Sequence, residues 1–94
     1  MAILVIAEAE GATAEQDAVM LKALDVDGSP PAGARMRMAG PTPGGWRIVS
    51  LWDSEADFER FRDERLMPQL TQAGIAIRSP EIWPIETVLT VWEF

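Results

Sequence analysis

Histidine, cysteine and tyrosine are all absent from the 94 residues. Without imidazole or thiolate the chain cannot build a Ser-His-Asp or Cys-His nucleophile, a disulfide or an iron–sulfur cluster. Zinc would have to be held by carboxylates alone, and haem would lack its common axial ligands, so no metal and no other cofactor is expected. Positive charge is scarce too: 8 Lys and Arg face 15 Asp and Glu, for a net charge of −7. That balance repels phosphate backbones and anionic headgroups, and no basic cluster reverses it locally, which argues against a nucleic-acid partner. No apolar run is long enough to span a bilayer, and the opening MAILVIA lacks a basic leader and cleavage site, so the expected location is cytoplasmic, away from membranes. Proton transfer would fall to a carboxylate with a shifted pKa, to bound water or to the ligand itself.

What is present reads as one small domain, 1–94, organised around GPTPGGWRIVSLWDSEADFERFRDERL, which begins at Gly40. Two prolines lack donors and three glycines tolerate positive φ, so GPTPGG is expected to form a hairpin turn rather than part of a ladder. Residues 46–52 then alternate Trp46, Ile48, Ser50 and Trp52 with Arg47, Val49 and Leu51, a strand too apolar on both faces to meet water. Ser54 caps the next helix, whose apolar face starts with Phe58 and Phe61 and which Pro68 is expected to kink or break. Upstream, residues 2–9 form a central strand, and Thr13-Ala14-Glu15-Gln16 is a capping box for a helix reaching about Leu24. Residues 34–39 are a second strand, and the last strand is expected from Ile85 to about Trp92, after Pro80 and Pro84. The order β-α-β-β-α-β is the ferredoxin-like split βαβ of the α+β class, a four-stranded antiparallel sheet with two helices on one face.

Counting outward from the turn pairs Ala39 with Trp46 and Arg37 with Ile48. Arg35, Arg37, Trp46, Ile48, Ser50 and Trp52 then share one face, unless a one-residue bulge reverses the assignment. The other face carries Met36, Met38, Val49 and Leu51 with little charge besides Arg47. Two helices cover only one side of such a sheet, so the bare apolar side predicts a homodimer packed sheet on sheet.

The chain as a whole, and MAGPTPGGWRIVSLWDSEADFERFRDERLMPQL and PIETVL above all, resembles small members of the dimeric α+β barrel superfamily, which includes antibiotic biosynthesis monooxygenases and polyketide cyclases. The resemblance implies a pocket between sheet and helices in each subunit. It also implies His at the positions of Arg37 and Glu86 and an acid at that of Ser50, and this sequence departs at all three.

Arg37 and Glu86 are nonetheless the candidate catalytic residues. Charges among Met36, Met38, Thr87 and Val88 call for exposure or pairing, and strands two and four lie at opposite sheet edges, flanking space for a small-molecule ligand. Arg37 would hold an enolate, phenolate or carboxylate, and Glu86, its pKa raised by apolar surroundings, would move a proton. The alternative is that both are edge charges guarding against strand pairing. Trp46, Ser50, Trp52, Phe58 and Phe61 are the candidate substrate-binding residues, with Trp46 the tryptophan best placed for a ligand and the others of Trp52, Trp83 and Trp92 suited to packing. The resemblance suggests a cofactor-free enzyme of secondary metabolism that oxidises an enolisable or phenolic polyketide-like molecule. A cyclase or isomerase using the same pocket, and a non-catalytic binding or assembly protein, are the alternatives.

Overall fold

In the computed structural model, which describes residues 1–89, the chain runs β1 (Ala2–Glu10), α1 (Ala14–Leu24), β2 (Ala34–Thr42), β3 (Gly45–Trp52), α2 (Glu55–Phe61), a π turn (Arg62–Leu66), α3 (Met67–Ala73) and β4 (Glu81–Ile85). The sheet order is β2-β3-β1-β4, with every neighbouring pair antiparallel. This is the ferredoxin-like α+β arrangement, with α1 and the α2–α3 run covering one face. The capping box at Thr13 forms in both directions, and Ser54 accepts from the Asp57 backbone N–H at 3.2 Å. Among the described residues no helix is long and apolar enough to cross a membrane.

The hairpin register differs from the expected one by two residues. Arg37 faces Ser50, Ala39 faces Ile48 and Pro41 faces Trp46, so Gly40, Pro41 and Thr42 belong to the ladder after all. Pro41 is tolerated because β2 is an edge strand whose outer side needs no donors. A shift of two keeps every side chain on its face, since strand side chains alternate with period two. A bulge between Ala34 and Met36 lifts only Arg35 out of the predicted set, and its Nε donates to Asp53 Oδ1 at 2.6 Å.

The last strand lies earlier than the 85–92 expected for it. Pro84 does not precede β4 but sits within it, opposite Ile3, again on an edge that asks for no outward N–H. Glu86 consequently follows the strand instead of belonging to it, and Trp92 lies outside the described residues.

The α-helical pattern is interrupted before Pro68, as expected, but by a π segment that keeps the chain helical between α2 and α3. The Met67 N–H donates to the Arg62 carbonyl, five residues back, and this widened turn makes room for the proline ring in the first turn of α3. The turn also corrects the helix phase. At about 100° per residue an uninterrupted helix would set Leu70 about 120° from Phe58; absorbing one residue brings the two within about 20°. Phe58 can thereby join Ile3, Val5 and Trp52 in one core cluster while Leu70 joins Met20 and Leu24 in another, with Phe61 packed against both. Arg65, at the end of the same turn, donates from Nη2 to the Leu24 carbonyl at 2.5 Å and ties the helices together.

On the helix-free face, Leu51 stands between Leu4 and Met36, Val49 between Ile6 and Met38, and Trp83 beside Leu4. Met36, Met38 and Trp83 are 48%, 54% and 55% exposed, a high value for side chains of this size. Arg47 and Glu8, paired across β1 and β3 with Nε to Oε1 at 3.0 Å, are charges of opposite sign within this surface.

Candidate functional site

The helix side of the sheet builds the site. On β3 the alternation places Trp46, Ile48, Ser50 and Trp52 toward the helices, facing Ala9, Ala7, Val5 and Ile3 of β1. Gly45 lets the strands close up at this end: a Cβ there would lie 2.3 Å from the Ala9 carbonyl oxygen and 2.8 Å from the Gly11 nitrogen. Trp46 is thus held against the end of β1. A cavity of about 30 Å³ remains between it and the helices, walled by Ala9 and Ile48 from the sheet, Gln16, Asp17 and Met20 from α1, and Leu70, Ile75 and Ile77 beyond. The Trp46 indole Nε1 is buried and has no hydrogen-bond partner among the described residues. A buried N–H without an acceptor is uncommon, because it keeps the full desolvation penalty of about 1–3 kcal/mol, and a ligand oxygen in the cavity would relieve it.

Asp17 supplies the charge of the site. It projects from the first turn of α1 and receives both terminal nitrogens of Arg37 on β2, Nη1 to Oδ2 at 3.2 Å and Nη2 to Oδ1. Asp17 is 13% exposed and Arg37 32%, so the pair is partly withdrawn from water. The bidentate geometry fixes the carboxylate at the cavity wall.

The structure brings Arg37, Trp46 and Ser50 to the same sheet face, as the alternation predicted. Ser50 Oγ accepts from Trp52 Nε1 at 2.9 Å. Trp52 and Phe58 are core side chains, 4% and 5% exposed, with rings in edge contact at 5.6 Å, and Phe61 tilts against Trp52 at 5.4 Å. These three aromatics do not wall the cavity; Trp52 and Phe58 form a core cluster with Ile3 and Val5, with Phe61 packed against it. Glu86 is exposed just beyond β4, at the sheet edge opposite β2, so it is not brought together with Arg37.

Asp17 and Gln16 are the functional candidates that sequence reasoning missed. In sequence Asp17 is an ordinary first-turn acid favoured by the helix dipole, and its partner Arg37 is 20 residues away on another element. Perturbed titration would not have found the site either. The guanidiniums held above their ordinary pKa, Arg35 by its hydrogen bond to Asp53, Arg62 by that to Asp63 and Arg78 by that to Glu10, all sit in surface pairs, and none of them lines the cavity.

No family model and no curated protein matches the chain. Solved structures do match. Rv0793 from Mycobacterium tuberculosis superposes with a TM-score of 0.65 at 15% identity, covering 96% of this chain and 100% of that one. A Chloroflexus aurantiacus protein described as a candidate antibiotic biosynthesis monooxygenase gives 0.62 at 16%, covering 94% and 97%. SnoaB, a cofactor-independent oxygenase from Streptomyces nogalater, gives 0.64 at 8%, covering 94% and 95%. At these identities the likeness is one of fold. The chain therefore has the α+β fold of the antibiotic biosynthesis monooxygenase-like proteins, over nearly its whole length.

Proposed function

We propose that the protein is a cofactor-independent oxygenase acting on an enolisable or phenolic, polyketide-like small molecule, with the Asp17–Arg37–Trp46 cavity as its active site. The observation that carries this reading is the buried, unpartnered Trp46 N–H in a cavity whose wall also holds a carboxylate paired to a guanidinium. The fold shared with SnoaB, whose description names that chemistry, supports it.

The residues suit the reaction in a simple way. Trp46 Nε1 donates to the ligand carbonyl or phenol oxygen and orients it. Asp17 takes a proton from the adjacent carbon; once neutral, it leaves the Arg37 charge to the enolate, so the ion pair passes from protein to substrate without a net change of charge in the site. The enolate carbon then bonds to dioxygen, and the peroxide anion so formed takes the proton back from Asp17 to give a hydroperoxide, which restores the Asp17–Arg37 pair. Loss of water breaks its O–O bond and the second C–H bond, so that a CH₂ group and O₂ become C=O and H₂O. The buried Met20 and Leu70 side chains keep bulk water from the inner wall of the cavity.

Purified protein supplied with a panel of enolisable aryl ketones and polyphenols is expected to consume dioxygen, one molecule per carbonyl formed, followed with an oxygen electrode. Turnover without oxygen uptake would identify a cyclase or isomerase, which needs only the same proton transfer. Binding without turnover would leave a ligand carrier and reject the enzyme.

We also propose that two chains pack through the helix-free sheet face. Light scattering at micromolar concentration is expected to give a dimer, and Leu51→Lys, which puts a charge at the centre of that face, a monomer of reduced stability. A wild-type monomer would sink the interface.

A further inference from the structure

The cavity is far too small for a polycyclic molecule. At about 10–15 Å³ per water, its volume of about 30 Å³ holds a carbonyl end or a diatomic gas and nothing larger. A second, larger hollow lies on the outer side of the helices, a groove of about 440 Å³ between α1 and α3, within the range of roughly 300–1,000 Å³ common for ligand sites. The two share three walls: Gln16, Met20 and Ile75 line both. These three side chains mark where the two hollows adjoin, and we call this boundary the neck. α1 and α3 approach each other at few points, so the seam between them is thinly packed.

The groove's chemistry is specific. Gln16, Gln69 and Gln72 offer amides that donate and accept, while Val19, Ala23 and Ala73 supply apolar surface. Its charged side chain is Glu15, and beyond the neck comes Asp17, whose Arg37 partner is already engaged. With a net charge of −7 over the chain, this route disfavours anions.

We propose that an uncharged, elongated, oxygen-bearing ligand enters between α1 and α3, its body lying along the glutamine amides of the groove and its oxygen-bearing end passing the Gln16–Met20–Ile75 neck to Trp46 Nε1. This rests on the cavity being the ligand site, and it adds the path, the second compartment and the ligand's charge. The small residue Ala23 is the lever: it is exposed on α1, so a bulky side chain there fills the groove without entering a core.

The Trp46 indole N–H resonance of ¹⁵N-labelled protein, assigned with Trp46→Phe, reads the far end of the path. Titration with neutral 2,7-dihydroxynaphthalene is expected to shift it saturably, and naphthalene-2,7-disulfonate at the same concentrations is expected to leave it in place. Ala23→Trp should weaken the diol at least tenfold with unchanged spectral dispersion, and Gln72→Ala, a milder change on α3, a few-fold. An equal shift from the disulfonate would overturn the charge argument. Full affinity in both groove variants would overturn the path while leaving the cavity as the ligand site, and no shift of Trp46 with either probe would overturn both. Oxygen uptake with aryl ketones is scored separately, so a groove that binds without turnover would reject the oxygenase reading alone.

Discussion

Asp17→Asn is expected to lower turnover of an enolisable aryl ketone by about 10²–10⁴-fold, the usual contribution of a positioned proton acceptor, while changing its affinity little. Asparagine keeps the shape of the side chain and an oxygen for Arg37, so the loss would belong to proton transfer rather than to folding. Initial rates by oxygen electrode, set beside the Trp46 indole shift as a measure of binding, separate the two. Arg37→Met should also reduce turnover, because the enolate loses its counter-charge, but at the price of an unpaired Asp17. Glu86→Gln is the discriminating control. Glu86 is exposed past the opposite edge strand, so a loss confined to that variant would move the base across the sheet and reject the role given to Asp17.

The second large effect concerns stability. Trp52→Ala is expected to cost about 3–5 kcal/mol, the range for emptying a buried aromatic site. Its indole fills the space between Ile3, Val5, Phe58 and Phe61, and its N–H satisfies Ser50. Against a total stability of about 5–15 kcal/mol, so large a deficit would leave a much reduced urea midpoint or an unfolded chain, measured at fixed protein concentration because association contributes. Trp46→Phe removes a buried donor that has no acceptor among the described residues and is expected to leave the stability within about 1 kcal/mol of wild type. If Trp52→Ala proved as mild as Trp46→Phe, the division of the tryptophans between core and site would be wrong.

That division was only half legible in the chain. The alternation of 46–52 assigns Trp46 and Trp52 to one face, which the register bears out despite its offset of two, because an even shift preserves the face. Nothing in the alternation says that one indole meets Phe58 and the other a cavity; that depends on where the helices cross the sheet. The capping box at Thr13, the Ser54 cap and the element order were readable because they are local. Pro41 and Pro84 misled for a related reason: a proline excludes only central strands, and which strands are edges is a property of the assembled sheet. Asp17 was invisible because its meaning lies wholly in a partner from another element.

The π turn has a consequence for how this chain can change length. Arg62–Leu66 holds one residue more than a regular helix would, so deleting a residue there, an exposed one such as Asp63, would leave Phe58 and Leu70 in phase. It would also return the Glu64 carbonyl to the place that Pro68 must avoid. Replacing Pro68 alone removes the need for the wide turn but leaves the extra residue to be accommodated. A shortened helix therefore becomes acceptable only when the proline goes with it, and the two positions are bound to be gained or lost together.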